Sequence, residues 1–337
     1  MLLPSNHPVI PPRKIGVLLV NLGTPDAPET KAERRYLAEF LSDRRVVEIP
    51  RISWQPILHG IILRTRPSKS AHAYKQVWTD KGSPLAAITR EQTEAIAERW
   101  AGDDRLMVEW AMRYGNPGIR PAVERMKMAG CQRLLIAPLY PQYCAATTAT
   151  ANDMVFSTLA DMRWQPALRT LPAYFDAPVH IESLKKSIET QLAALDFTPD
   201  RLLLSFHGMP QRTLELGDPY HCHCRKTARL LGEQLSIRTD VAFQSRFGPA
   251  KWLEPSTENT LAAYPAQGVT KLAIAAPGFS ADCIETIEEL GIRGRETFEA
   301  AGGKSFARLD CLNAGAEGIP MLETLLRQEL AGWWEPA

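Results

Sequence analysis

The segments APLYPQYCAATTA (residues 137–149) and APGFSADCIETIE (residues 276–288) are two versions of one pattern within a single chain. They align without a gap at an offset of 139 residues. The identical pairs include Pro138 with Pro277, Cys144 with Cys283, and Thr147 with Thr286. Because self-similarity at a fixed offset is typical of duplicated units, we predict that the chain contains two diverged copies of one fold.

Apolar runs around these segments indicate the fold of each copy. Short runs rich in Val, Ile and Leu end at Gly or Pro before helix-like stretches, a pattern typical of buried parallel strands. The runs are Ile15–Asn21, Leu106–Tyr114, Arg133–Tyr140 and Leu168–Tyr174, then Arg201–His207, Val241–Phe247 and Lys271–Phe279. We therefore expect an α/β protein of two similar Rossmann-like lobes, each with a parallel sheet flanked by helices.

Further matches between the copies suggest a domain division. RYG at 113–115 resembles RFG at 246–248, and NLG at 21–23 resembles FHG at 206–208. The interval between these motifs is longer in the first copy, which indicates an insertion within about residues 25–85. We expect a first lobe over 1–180 that includes this insertion, and a second, catalytic lobe over 181–315. A C-terminal helix over 316–337 is expected to pack back onto the first lobe.

Composition excludes several classes of protein. A net charge of +1 gives no field that would favour nucleic acid. The N-terminal MLLPSNHPVIPPRK lacks the pattern of a signal peptide, and no run reaches the ~18 apolar residues of a membrane span. We expect a cytoplasmic protein, and a monomer since no helix is an obvious interface.

The spacing of Cys and Gly residues argues against two kinds of cofactor site, a structural metal site and a nucleotide site. In His221-Cys222-His223-Cys224 the thiols are closer together than in structural metal sites, and no second pair follows. A polar helix start is the simpler interpretation, although a metal role stays open. After the first strand, Gly23-Thr24-Pro25 lacks the glycine pattern of dinucleotide sites and the lysine of ATP sites.

Acid–base residues appear where the two copies diverge. His207 in the second copy corresponds to Leu22 in the first, and Glu285 corresponds to Ala146. Both positions follow the carboxyl ends of predicted strands, the edge where doubly wound sheets bind ligands. This divergence predicts an active site in the second lobe that contains His207 and Glu285.

Carboxylates cluster around Glu285. Asp282, Glu285 and Glu289 are spaced i, i+3 and i+7, so a helix would place them on one face. Clustered carboxylates raise one another's proton affinity, which suits proton exchange and transient cation binding. The alternative is a solvated acidic face at a helix N-terminus.

The insertion contains an apolar segment, residues 46–63, broken by Pro50 and Pro56. Basic residues flank it: Arg44, Arg45, Arg51, Arg64 and Arg66. One interpretation is a core helix and loop. The other is an apolar lip over a cleft for a flat hydrophobic ligand, which could also contact an anionic membrane surface.

At these residues the chain resembles ferrochelatase, the family that inserts ferrous iron into a porphyrin to finish heme. Six motifs run in family order over about 280 residues. They are VLLVNLGTPDAP (17–28), MRYGNP (112–117), PLYPQYCAATT (138–148), LLLSFHGMPQR (202–212), FQSRFG (243–248) and PGFSADCIETIEEL (277–290). The resemblance implies the chelatase fold, with a porphyrin cleft between two lobes, and a bacterial type of this lyase.

The resemblance also implies roles for individual residues. His207 and Glu285 match the family's essential histidine and glutamate, as catalytic and metal-binding residues. Asp282 and Glu289 match a carboxylate path that continues from Glu285. Residues that match positions near the substrate are Leu22, Arg113, Tyr114, Tyr143 and Arg246.

The implied substrates are protoporphyrin IX and Fe²⁺, and no permanent cofactor is implied. Some relatives carry a [2Fe–2S] cluster on a cysteine-rich C-terminal extension. No cysteine follows Cys311 here, so we expect no cluster of that type. We also expect peripheral contact with a membrane surface or with the preceding oxidase of the pathway.

The sequence-based mechanism assigns proton removal to His207, with a pKa expected near neutrality. The carboxylates would carry protons or Fe²⁺, and Arg113 would pair with the porphyrin propionates. Two alternatives stay open: a chelatase for another metal or tetrapyrrole, such as a cobalt-inserting enzyme, and a non-catalytic heme-binding protein.

Overall fold

The computed structural model describes residues 14–246 and 248–335. These residues contain eight strands in two separate four-stranded sheets, and all of the strand pairs are parallel. The strand order is β2-β1-β3-β4 in the first sheet and β6-β5-β7-β8 in the second. The two orders are identical, so the expectation of two similar parallel α/β lobes is confirmed.

The strands largely follow the apolar runs of the sequence. The first sheet consists of β1 (Lys14–Thr24), β2 (Leu106–Gly115), β3 (Cys131–Pro138) and β4 (Ala167–Thr170). The second consists of β5 (Arg201–His207), β6 (Thr239–Gln244), β7 (Lys271–Ala275) and β8 (Ser305–Arg308). Strand β8 was not predicted, because four residues at a sheet edge carry little pattern. Phe247, in the predicted strand Val241–Phe247, and the N-terminal residues 1–13 lie outside the described residues.

Helices connect and flank the strands. The α-helices of the first half are α1 (Thr30–Ser42), α2 (Arg51–Ile57), α3 (Leu63–Val77), α4 (Pro84–Arg99), α5 (Ile119–Met128) and α6 (Thr150–Ala160). Those of the second half are α7 (Pro178–Ala193), α8 (Gln211–Glu215), α9 (Tyr220–Gly232), α10 (Thr257–Ala263), α11 (Arg295–Ala300) and α12 (Gly318–Leu330). Three π-helical segments are π1 (Leu58–Ile62), π2 (Ala145–Ala149) and π3 (Glu285–Gly294), and Pro265–Gln267 form a 3₁₀ turn.

The central strands β1 and β5 are buried on both faces because helices cover both sides of each sheet. One large apolar cluster joins the two lobes and includes Leu19, Leu135, Leu204 and Phe206. Each lobe adds a smaller cluster of its own. The two strands therefore end at a fixed position relative to each other.

The insertion folds as α1, α2, π1 and α3, and it is amphipathic. Trp54, Leu58 and Leu63 are buried in a cluster with α1. Ile52 and Ile61 point to solvent and are 87% and 58% exposed. One side of this segment therefore packs in the core, as the first interpretation predicted, and the other is an exposed apolar surface. Its role as a lip over a ligand cleft stays a prediction.

Helix α12 packs against α7, α4 and β3. Glu323 on α12 accepts hydrogen bonds from Trp100 and Arg99 at the end of α4. The ring of Trp334 lies 5.3 Å from that of Trp100. The C-terminal helix thus contacts elements of the first lobe, while the exact domain boundaries stay a prediction.

Candidate active site

The carboxyl edge of the second sheet brings His207 and Glu285 together. His207 is the last residue of β5, and Glu285 opens π3 beyond the end of β7, the strand next to β5. The His207 Nε2 atom lies 3.4 Å from Glu285 Oε1. The two side chains are 35% and 30% exposed, so the pair can be reached from outside the fold.

Backbone contacts fix the imidazole ring of His207. Its Nδ1 atom lies 2.6 Å from the carbonyl oxygen of Gly208, which implies an N–H at Nδ1. The hydroxyl of Tyr220 donates to the His207 carbonyl at 3.0 Å. Nε2 is therefore the nitrogen that faces Glu285.

The electrostatics of the pair differ from the sequence-based expectation. Burial disfavours the charged imidazolium, but the charge and hydrogen bond of Glu285, together with the charge of Glu289, outweigh it and raise the pKa of His207 to about 9. Burial acts against ionisation of Glu285 as well, but His207 lowers the pKa of Glu285 below its usual range. The expected near-neutral pKa of His207 was therefore wrong, since the neighbouring carboxylate keeps the imidazole charged at neutral pH.

Gln244, which sequence reasoning missed, connects the two halves of the pair. Its side-chain Nε2 donates to the backbone carbonyl of Glu285 at 3.0 Å. The backbone carbonyl of Gln244 accepts a hydrogen bond from the Gly208 N–H at 2.7 Å. A Cβ atom on Gly208 would lie 2.4 Å from the Gln244 oxygen, so this approach requires glycine. The only sequence signal was its place within the predicted strand Val241–Phe247.

Glu289 is held by the residue after Gln244. Ser245 donates to Glu289 from its backbone N–H at 2.7 Å and from its hydroxyl at 2.6 Å. Ser245 has a φ of 61°, which turns its N–H and hydroxyl toward π3. Burial, opposed by Ser245 and assisted by the charge of Glu285, raises the pKa of Glu289.

Asp282 does not share a face with these two glutamates. It precedes π3, and its side chain is only 4% exposed. Its carboxylate accepts hydrogen bonds from Arg308 (2.8 Å), Thr286 (2.6 Å), Asn313 (2.7 Å) and the Cys311 N–H (3.1 Å). The oxygens of Asp282 are thus occupied by an internal cation and neutral donors, and its place in a carboxylate path stays a prediction.

Arg113 and Tyr114 are likewise engaged inside the first lobe. The Arg113 guanidinium pairs with Asp43, and both side chains are about one-tenth exposed. The Tyr114 hydroxyl donates to the same carboxylate at 2.9 Å, and the tyrosine is fully buried. Asp43 thus neutralises the cation and the core encloses the ring, and the expected substrate contacts of Arg113 and Tyr114 stay predictions.

The remaining predicted residues lie in separate local environments. Leu22 is partly buried and packs against the cluster of α1. Tyr143 is partly buried, and its backbone N–H donates to His223 Nδ1 at 3.2 Å. Arg246 is exposed and pairs with Glu254 at 2.5 Å. Their roles toward a substrate stay predictions.

The His221–Cys224 motif opens helix α9, as the simpler interpretation predicted. Cys224 is buried, Cys222 is exposed, and His223 stacks on Phe175 with ring centroids 3.6 Å apart. Within the described residues, no group of three or more His, Cys, Asp or Glu side chains is placed to hold a metal ion.

Comparison with known proteins identifies the family. The ferrochelatase family model matches residues 14–330. The ferrochelatase of Rhizobium meliloti (strain 1021) is 50% identical over 334 residues, which cover 98% of each chain. The chain belongs to the ferrochelatase family. The ferrochelatase of Agrobacterium fabrum (strain C58 / ATCC 33970) is a further relative, 48% identical over 337 residues, which cover 98% of each chain. The sequence-based resemblance is thus confirmed.

Solved structures support the fold. SirB from Bacillus subtilis with Fe³⁺ superposes with a TM-score of 0.56 at 13% identity, covering 95% of this chain and 97% of that one. The sirohydrochlorin chelatase SirB from Bacillus subtilis subspecies spizizenii, in complex with cobalt, gives a TM-score of 0.55 at 11% identity, covering 94% and 95%. The chelatase fold expected for this member of the ferrochelatase family is therefore confirmed.

Proposed function

We propose that this chain inserts ferrous iron into protoporphyrin IX to form protoheme, the terminal step of heme biosynthesis. The observation that carries this proposal is the charged pair of His207 and Glu285, at 3.4 Å, on the carboxyl edge of the second sheet. Family membership supports the same activity. The enzyme is a lyase of the metal-chelatase type, and iron is its substrate.

Proton exchange is the chemistry that the pair supports. A free-base porphyrin loses two N–H protons before iron can occupy its centre. In the resting enzyme His207 is protonated and Glu285 is ionised, so the first base open to a pyrrole proton is the carboxylate. Once Glu285 is neutral, the imidazolium loses its counter-charge, its pKa falls, and His207 releases its proton to solvent. The neutral imidazole can then accept the second pyrrole proton.

Arrival of the metal acts in the same direction. Imidazole nitrogen and carboxylate oxygen are suitable ligands for a ferrous ion that is held only transiently. A cation near Glu285 weakens the attraction between that carboxylate and the His207 proton. We therefore assign His207 and Glu285 to both proton removal and iron delivery.

The proposed carboxylate path runs from Glu285 to Glu289 and omits Asp282. The Glu289 side chain is 20% exposed, compared with 4% for that of Asp282. The raised pKa of Glu289 lets it hold a proton closer to neutral pH than a free glutamate. Arg293, 3.9 Å from Glu289, lies at the far end of the path.

The substrate cleft is proposed to lie between this edge and the insertion. Helix α3 of the insertion contacts π3, which carries Glu285 and Glu289. The partly buried Leu22 and its apolar neighbours would form a wall for a flat macrocycle. Binding energy from the ring periphery would bend the ring and turn nitrogen lone pairs out of plane.

Exposed isoleucines in and just before α2 and π1 support contact with a membrane surface. Ile49, Ile52, Ile57 and Ile61 are between 40% and 87% exposed, and Arg44, Arg51 and Arg64 beside them are exposed as well. Apolar side chains with basic neighbours suit a peripheral contact with anionic lipid. No helix within the described residues is long and apolar enough to cross a bilayer. We propose a monomer in the cytoplasm that associates with the membrane peripherally.

An anaerobic metallation assay tests the function. Purified protein, Fe²⁺ and protoporphyrin should produce the Soret band of heme, and a folded His207→Ala variant should lose at least about 100-fold in rate. Matched reactions with Co²⁺ and with coproporphyrin test the alternative chelatase activities. Stoichiometric heme binding without turnover would indicate the non-catalytic alternative and would overturn the proposal.

A further inference from the structure

The turn that opens π2 and π3 occurs in both copies of the repeat and has no part in the mechanism above. Cys283 and Thr286 in the second lobe match Cys144 and Thr147 in the first. In each lobe the threonine N–H donates to the cysteine carbonyl at 3.2 Å. Both cysteines are buried. The two copies therefore share a backbone turn and a buried thiol, although the residue two positions after each cysteine differs.

In the first lobe this thiol lies beside a carboxylate that the second lobe supplies. The N–H of Ala145, which follows Cys144 in the chain, donates to Asp218 Oδ2 at 2.8 Å. Burial, and then the charge of Asp218, raise the pKa of the Cys144 thiol to about 12. The thiol therefore keeps its proton at neutral pH and remains a hydrogen-bond donor next to a carboxylate acceptor.

In the second lobe the matching thiol contacts the carboxylate of Glu285 itself. Cys283 Sγ lies 3.6 Å from Glu285 Oε2, a hydrogen-bond distance for the larger sulfur atom. Because a carboxylate only accepts, the thiol is the donor. The other oxygen, Oε1, is the one that lies 3.4 Å from His207 Nε2. The two contacts use different oxygens and so fix the rotation of the carboxylate, whereas Gln244 holds the backbone of this glutamate.

The backbone of Cys283 is itself held on both sides. Its N–H donates to the Thr286 hydroxyl at 3.0 Å, and its carbonyl accepts from the Ile287 N–H at 2.9 Å. The Thr286 hydroxyl donates in turn to the buried carboxylate of Asp282 at 2.6 Å. Cys283 is only 5% exposed. The sulfur therefore has a fixed position in the interior, from which it can hold the Glu285 carboxylate in one orientation.

We propose that Cys283 is a positioning residue whose thiol holds Oε2 of Glu285 and leaves Oε1, beside His207, as the oxygen that exchanges protons. The hydrogen bond stands independently of the proposed function, whereas its effect on the reaction rate rests on that function. A carboxylate that is already oriented needs no reorganisation when it takes a pyrrole proton, which favours the transition state. No bond to sulfur forms or breaks in this role, so no oxidant or reductant is required.

Infrared spectroscopy of the S–H stretching band in the full-length protein tests the hydrogen bond without relying on turnover. Subtracting the spectrum of Cys283→Ala from that of the wild type isolates the band of this thiol. The same subtraction in a Glu285→Gln background should give a band at higher frequency, because a neutral amide is a weaker acceptor than a carboxylate. The control is Cys311, a buried thiol 3.9 Å from the Ala276 carbonyl, whose band should not move. An unmoved Cys283 band overturns the proposal.

Steady-state metallation separates a donor from a residue that only packs. A buried cysteine that only packs behaves as a small apolar residue, so Cys283→Ala would be tolerated at least as well as Cys283→Ser. A donor predicts the opposite order: Cys283→Ala should lose about 10-fold in kcat with little change in the KM for porphyrin, and Cys283→Ser, which keeps an O–H donor, should retain more of the rate.

The same two substitutions at Cys311 should give equal kcat values, because that thiol does not contact Glu285 in the structure. A kcat for Cys283→Ala that equals or exceeds that for Cys283→Ser overturns the positioning role. A wild type that binds heme without turnover contradicts only the proposed function, since the infrared band still decides whether the thiol holds the carboxylate.

Discussion

At the residue scale, neighbours decide what each acidic side chain can do. Glu285 faces a histidine and the cleft, Glu289 faces a serine turn, and Asp282 faces an arginine and the interior. All three have the same kind of carboxyl group and lie within eight residues of sequence. Only the two glutamates remain accessible for exchange with a substrate.

Asp282→Asn should therefore lower stability. Removing the charge leaves Arg308 without its buried partner, and the free energy of unfolding should fall by about 3 kcal/mol. Urea denaturation measures this loss. The control is Asp310→Asn, because Asp310 pairs with the same arginine but is 61% exposed. A fully stable Asp282→Asn protein with greatly slowed metallation would instead support a role in the path.

The sequence predicted the catalytic pair but not the fate of Asp282. His207 and Glu285 differed from the other copy of the repeat, which marked both residues. The partner of Asp282 is Arg308 on β8, a four-residue edge strand with no strong pattern. Likewise, nothing near Arg113 in sequence indicated Asp43, 70 residues away, as its counter-ion. Long-range ion pairs of this kind depend on tertiary structure.

At the scale of secondary-structure elements, the end of β6 organises the site. Gln244 holds the backbone of Glu285 and of Gly208, and Ser245 holds the side chain of Glu289. Residues at the end of this one strand thus contact Glu285, Glu289 and the residue that follows His207. The Ser205 hydroxyl donates to the side-chain carbonyl of Gln244 at 2.7 Å, and this bond fixes the Gln244 side chain in turn.

Gln244→Ala should reduce kcat by about 10-fold or more and change KM little, since it disturbs geometry around the reacting groups and not the bulk of the cleft. Steady-state metallation measures the two constants. Gln234→Ala, at an exposed position after α9, serves as the control. Equal kcat values for both variants would show that Gln244 does not position the pair.

The contact between α1 and α3 should be sensitive to pH because of Glu33. Its pKa in the fold lies above its ordinary value, so its stabilising contribution is present at low pH and is lost as the pH rises from 4.5 through about 7. Glu33→Gln should therefore gain about 2–3 kcal/mol over the wild type between about pH 5 and about pH 8. Urea unfolding at both pH values measures this, and a pH-independent difference would contradict it.

At the scale of the whole molecule, two lobes with the same strand order carry different side chains and a different set of helices. The second lobe holds His207, Glu285 and Glu289, and the first provides the insertion with its buried and exposed apolar sides. The repeat in the sequence was sufficient to predict this duplication. Helix propensity and apolar patterning did not predict the π-helical form of π3, since tertiary contacts at β6 and β8 shape it.

The exposed side of the insertion should bind anionic vesicles. Ile52→Glu places a charge in its centre, and co-sedimentation with vesicles that contain anionic lipid should fall several-fold. Met128→Glu is the matched control, because Met128 is 77% exposed on α5, outside the insertion. Equal loss of binding in both variants would point to general charge repulsion in place of a specific surface.

The charged pair of His207 and Glu285 is the centre of the proposed mechanism, and its most direct test is an NMR titration of His207 in isotope-labelled protein. A charged pair predicts a pKa of about 9 for His207 in the wild type. It also predicts a clear fall in Glu285→Gln, where burial acts against the imidazolium and only Glu289 and the Gly208 carbonyl still favour it. If His207 titrates near its ordinary value of about 6.5 in both proteins, the pair is not charged in the resting enzyme, and the proposed order of proton transfers is contradicted.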